Sequence, residues 1–178
     1  MEARIFMASQ FSTFHKKKLM AFSSQKVFIS SGGAVGSLTT SLFGFGTTGS
    51  NTAVTNLVGT GGAVATDTSG VGTARNGVGA AEYGGDKAIF GYGHTSGRVS
   101  MTNKVTSSGV VSVDTTGVGT ARYYLAAAEY GVGKAIFGYG TTGSVSSLTN
   151  LVNSSGVVAI DTTGVGMARQ ELAAANYG

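Results

Sequence analysis

The sequence predicts an all-β protein, a β-propeller built from four-stranded blades, and three observations carry that prediction. The string Lys134-Ala135-Ile136-Phe137-Gly138-Tyr139-Gly140 repeats Lys87 to Gly93 at a distance of 47 residues, and a worn copy, Leu42-Phe43-Gly44-Phe45-Gly46, stands 47 residues before its second half. Self-similarity at this period marks a repeat array. Each unit also divides into four apolar runs, punctuated by 8 to 11 glycines per unit, too many for the roughly 10-residue elements of a helical repeat. Finally, the runs are rich in Val, Thr, Ile, Phe and Tyr, which suit pleated, half-buried surfaces. Four short strands in one unit are what a propeller blade requires, and blade repeats run roughly from 40 to 50 residues.

Composition narrows the function. The 178 residues include 30 glycines, no proline and no tryptophan, and 42% are hydrophobic. Only 11% are charged, so Ser, Thr, Asn and Gly supply much of the contact with water, and such a surface is adhesive. The net charge of +4 owes three of its positive charges to Lys16-Lys17-Lys18, outside the repeats. The repeat body is close to neutral and lacks the basic stripe of a nucleic-acid binder. Cysteine is absent, which removes disulfides, thiolate metal sites and cysteine nucleophiles. No apolar run reaches the roughly 18 residues of a membrane helix, and the N-terminus carries no compact apolar segment of signal-peptide type. Neither nucleic acid nor membrane is expected as a partner, and no cofactor is implied.

Residues 1–27 have no counterpart later in the chain. Phe6, Phe11, Phe14 and Phe22 are interleaved there with Ser, Gln and the lysine run. The segment reads either as a leader without fixed structure or as an amphipathic arm anchored by Ile5, Phe6, Phe11 and Phe14. His15, beside three lysines, reads as solvated.

Residues 28–178 are the repeats, divided into 28–74, 75–121 and 122–168, with 169–178 expected as the first strand of a further blade. Arg75, Arg122 and Arg169 align without a gap, as do Asp67, Asp114 and Asp161, Asn56, Asn103 and Asn150, and Tyr83, Tyr130 and Tyr177. Strands are predicted near 78–83, 87–92, 101–106 and 109–114 and one period on. The Ala-rich run is placed nearest the central axis, so that Ala126 to Ala128 and Ala173 to Ala175 line the channel. Alternation along the next run turns Ala135, Phe137 and Tyr139 to one side and Lys134, Ile136 and Gly138 to the other. Phe90 and Phe137 are predicted to be buried between blades. Asp114 with the following Thr-Thr-Gly reads as an Asx-type turn. The eight-residue step from Asp114 to Arg122 suggests an ion pair between blades.

The order Arg-x-x-Leu-Ala-Ala-Ala, then Lys-Ala-Ile-Phe-Gly-Tyr-Gly, then an Asp-containing last strand, resembles the kelch repeat, with an Arg-led inner strand before an apolar strand ending in two glycines. Gly-Tyr-Gly replaces the adjacent glycines, and the tryptophan of a kelch unit is missing. The near-identity of the copies is also similar to repeat segments in proteins of marine tailed phages, which implies a virion- or tail-associated role.

Recurrence weighs against catalysis. The carboxylates Asp67, Asp114, Asp161, Glu82 and Glu129 repeat with the unit, whereas chemistry requires one asymmetric site, so the chain is not read as an enzyme. Gly-Val-Gly-Thr-Ala-Arg lacks the last glycine of a dinucleotide loop and the Gly-Lys-Ser/Thr of a P-loop. His94 is the one imidazole in the array and makes no transition-metal site by itself.

Two readings of function follow. The first is a structural or assembly module, and the alternative is a glycan- or surface-binding propeller that uses Tyr92, His94 and Tyr139 in its loops. Three blades are too few to close, since propellers need at least four. Two copies are therefore expected to form a homodimeric ring of six blades, Leu172 to Tyr177 of each pairing in the first blade of the other. A glycan or another particle protein is the further partner expected.

Overall fold

The computed structural model describes residues 40–177. The expectations for residues 1–27, and for the opening strand of the first unit, fall outside these residues. Eight strands form three small antiparallel sheets, none of which closes on itself. The first sheet joins β1 (Ser41–Gly44) to β2 (Thr55–Val58). The second runs β3 (Gly79–Tyr83), β4 (Lys87–Gly91), β5 (Thr102–Val105), and the third runs β6 (Ala126–Tyr130), β7 (Lys134–Gly138), β8 (Thr149–Val152). The described residues contain no helix.

The register repeats with the sequence. Gly79 pairs with Gly91 and Tyr83 with Lys87, and one period on Ala126 pairs with Gly138 and Tyr130 with Lys134. Left-handed glycines at Gly84 (φ 68°) and Gly85 (φ 80°) turn the β3–β4 hairpin, a conformation that other residues adopt only at a cost. β1 and β2 correspond to β4 and β5 of the next unit.

The fourth run of each unit, expected as a strand, does not form one. In its place, isolated bridges join Thr102 to Thr115 and Val105 to Val111. These two pairings are out of step by one residue, so the second arm carries one residue too many opposite Asn103, which is a β-bulge. The Asn103 amide bridges the gap, Nδ2 donating to the Ser112 carbonyl at 3.0 Å and to Asp114 Oδ1 at 2.9 Å. The same step separates Thr149–Thr162 from Val152–Val158. Bulged Val113 and its counterpart Ile160 point outward, 71% and 77% exposed.

Packing runs between sheets, because β4 and β7 carry apolar bulk on both faces. Ile89 and Phe90 alternate yet are both buried. β3 lies against β6 and β7 of the next unit. One core cluster gathers Tyr83, Ile89, Tyr92, Leu125, Ala135, Phe137, Val152 and Val158, and a second gathers Phe45, Phe90, Val105 and Val111. Each aromatic ring is received by a glycine one unit back. A Cβ on Gly91 would stand 2.6 Å from Phe137 Cζ, and one on Gly44 would stand 3.1 Å from Phe90 Cζ. Leu172 to Tyr177, expected as a strand, form none.

Candidate functional site

The recurring arginines make the polar centre of the array. Arg75 and Arg122 are both fully buried, a position that arginine holds only when its donors are partnered. Arg75 Nε donates to the Tyr92 carbonyl at 2.8 Å, Nη2 to Asn103 Oδ1 at 2.6 Å and Nη1 to the Thr73 carbonyl at 3.1 Å. Asp114 Oδ1 lies 3.7 Å from Nη1. The guanidinium carbon stands 4.2 Å over the Phe45 ring of the preceding unit.

Arg122 repeats each contact one period on. It donates to the Tyr139 carbonyl (2.9 Å), Asn150 Oδ1 (2.7 Å) and the Thr120 carbonyl (3.2 Å), with Asp161 at 3.8 Å and the Tyr92 ring beneath at 4.3 Å. A planar fork with five donors, able to stack on a ring, is what these sites require, and lysine offers neither property.

The carboxylate closes the junction from the other side. Thr73, in the unit before Asp114, donates to that carboxylate through its amide (2.9 Å) and its hydroxyl (2.7 Å). Thr120 does the same to Asp161. For both Asp114 and Asp161, burial works to raise the pKa. The hydrogen bonds from threonine and asparagine outweigh it with help from the arginine, and hold both carboxyls below the usual range. Burial lowers Arg75 to about 10, opposed by Asp114, so the guanidinium stays charged at neutral pH. Burial pushes the Tyr92 phenol up to about 12, although Arg122 pulls it down.

Backbone conformation serves the same contact. Phe45, Tyr92 and Tyr139 all take left-handed φ values of 61–64°, uncommon for aromatic residues. The conformation lets one residue serve two arginines. Tyr92 turns its carbonyl to Arg75 and its ring to Arg122, while its hydroxyl donates to the Val118 carbonyl at 3.1 Å. The result is a chain of alternating contacts, Phe45–Arg75–Tyr92–Arg122–Tyr139–Arg169, along the array.

Several expected placements are corrected. Arg122 does not pair with Asp114, eight residues before it, but with Asp161, because the tyrosine carbonyl and asparagine of its own unit draw the fork inward. Asp114 makes no Asx-type turn, since its oxygens are taken by Thr73 and Asn103. Tyr92 is fully buried and so offers no ring to a ligand. Tyr139 is half-buried, with its hydroxyl on the Val165 carbonyl. His94 bridges Asn76 and Arg98 by backbone pairing, and its ring lies 4.9 Å from that of Tyr123.

Phe90 and Phe137 are buried against the sheet before their own. Ala126 to Ala128 are half-buried in β6, and Ala173 to Ala175 are exposed. Asp67 is exposed and accepts from Asn56 Nδ2 at 2.8 Å. Glu82 has its pKa raised by burial, then by Glu129 and Asp86. No three His, Asp or Glu side chains among the described residues are grouped to hold a metal ion.

The partners that sequence reasoning missed are Asn103, Asn150, Thr73 and Thr120. Their alignment at a fixed period was visible, but their convergence on one guanidinium depends on the bulge. No protein-family model matches the chain, and no curated protein matches it in sequence.

Proposed function

We propose that this chain is a non-catalytic structural module, an array of propeller blades that serves as an assembly scaffold, as the likeness to phage repeat segments implies. The observation that carries this reading is the Arg122 junction. The recurring Arg122, Asn150 and Asp161 of that unit are engaged with one another and, through the Tyr92 ring and Thr120, with the unit before, and the Arg75 junction uses the same set in the same way. A site meant for a soluble reactant would keep such groups open to it.

The glycan-binding alternative loses its repeated aromatic, because Tyr92 lies beneath Arg122. Electron-microscope images of the purified protein test the architecture. Blades radiating around a central channel are expected, and an open stack of sheets without an axis would overturn the propeller. A glycan array tests the alternative, with no saturable binding expected. Saturable binding by the repeat body would favour recognition over assembly.

A further inference from the structure

We infer that the two edges of the array dock on each other head to tail, with Arg169 of one copy entering the site formed by Phe45, Asn56 and Asp67 of a second copy. The inference rests on the assembly reading above and names its partner. Each edge holds half of the junction already built twice inside the chain.

Arg169 is in place as a donor. Its carbonyl accepts from the Gly140 amide at 3.0 Å, as the Arg122 and Arg75 carbonyls accept from Gly93 and Gly46. Its guanidinium stands 4.1 Å over the Tyr139 ring, and Nη1 donates to the Met167 carbonyl at 3.2 Å, matching Arg122 on Tyr92 and Thr120. The difference is in the other contacts. Arg122 is fully buried with Nε and Nη2 satisfied, whereas Arg169 is exposed, and no acceptor for its Nε or Nη2 stands among the described residues.

The opposite edge is the acceptor. Asn56 Nδ2 donates to the Ala65 carbonyl and to Asp67 Oδ1, the pose that Asn103 takes between Ser112 and Asp114. That pose aims Asn103 Oδ1 at Arg75. The residue in register with Arg75 in this first unit is Phe28, which has no guanidinium to offer. Asp67 supplies a negative charge opposite the positive one.

The apolar halves match in the same register. Phe90 sits on Gly44 and edge-on to Phe45, and Phe137 sits on Gly91 and edge-on to Tyr92, both ring pairs at 5.2 Å. Phe43, the equivalent ring of the first unit, is 62% exposed, while Phe90 and Phe137 are 4% and 0% exposed. At the other edge Gly138 and Tyr139 stand in the receiving register. One docking movement therefore brings Phe43 onto Gly138 and Asp67 to Arg169. One contact differs: Met167 stands where Thr73 and Thr120 stand, so the carboxylate gains an amide donor but no hydroxyl.

The test uses two variants of the full chain, one damaged at each edge. Phe43→Asp spoils only the acceptor edge and Arg169→Glu only the donor edge. Asp67→Arg serves as a second acceptor-edge variant should Phe43→Asp alter the circular dichroism. Sedimentation velocity is expected to show wild type associated, each variant alone as single chains, and the mixture of the two as a two-chain species that grows no further. In that mixture one intact acceptor edge meets one intact donor edge.

A wild type of one chain would overturn the inference. Variants that stay associated, or a mixture that stays monomeric, would overturn it too. A radial arrangement seen in images of a monomeric wild type would leave the scaffold reading standing and sink only the head-to-tail contact.

Discussion

At the scale of single residues, the protein depends on burying an arginine with an acceptor at each guanidinium nitrogen. Breaking a buried pair is costly because the remaining groups lose water without gaining a partner. Arg122→Met would strand Asn150 and Asp161. Since the Asp161 side chain keeps 26% of its exposure, the expected loss is about 3 kcal/mol, the low end for such a deletion. Arg122→Lys retains the charge but not the fork or the stacking, and should recover less than half of that loss in denaturant melts.

The aspartates set the pH response. Asp114 and Asp161 have folded pKa values below the ordinary range, so their contribution is complete above the unfolded value of about 3.9 and is lost as pH falls through the folded one. Glu82, raised in the fold, works weakly in the opposite direction. Unfolding midpoints are expected to hold steady from neutral pH to about 5 and to fall below about 4. The double variant Asp114→Asn, Asp161→Asn should be less stable at neutral pH and have a flatter acid slope. An unchanged slope would mean that other carboxylates govern acid unfolding.

At the scale of elements, each sheet is fixed to the next by a ring set against a glycine. Phe137 is fully buried, and Phe137→Ala should cost about 3–5 kcal/mol, the range for aromatic deletions in cores. Gly91→Ala adds a methyl against the same ring and should cost about 1–3 kcal/mol as overpacking does. Combined with Phe137→Leu, which clears that space, the alanine should cost less than it does alone. A double-mutant cycle measures the coupling, and strict additivity would show that the two sites do not touch.

Three strands of the second and third units, and two of the first, were legible because glycine punctuates them and their residues alternate. The predicted run 87–92 and the observed Lys87–Gly91 differ by one residue. The fourth run was not legible as a bulge, since residues 109–114 read as an ordinary strand until the register is counted across from Thr102 to Val105. The arginine partners escaped for a related reason. Asp114 lies eight residues from Arg122 in sequence, but the arginine that approaches it is Arg75, 39 residues before it. Nothing local announces so distant a contact. Tyr92 looked like a ligand-binding aromatic because its left-handed backbone, which turns the ring under Arg122, is a tertiary effect.

At the scale of the molecule, a repeat array is stabilised by its interfaces, and its terminal units are the ones left incomplete. Among the described residues the two edges carry complementary groups: an exposed Phe43 with Asn56 and Asp67 at one, and Gly138, Tyr139 and Arg169 at the other. A head-to-tail contact closes into a ring when its rotation allows and otherwise runs on as a filament. Six units from two chains suffice for a propeller ring, so closure at two copies is expected. Folding and association should then be linked, with thermal midpoints that rise with protein concentration.

The most direct measurement is the mass of the wild-type protein by light scattering at micromolar concentration. The account predicts a discrete species of two 17.8 kDa chains. A mass of one chain would contradict the contact between edges, and a mass that climbs without limit as concentration rises would contradict the closed ring.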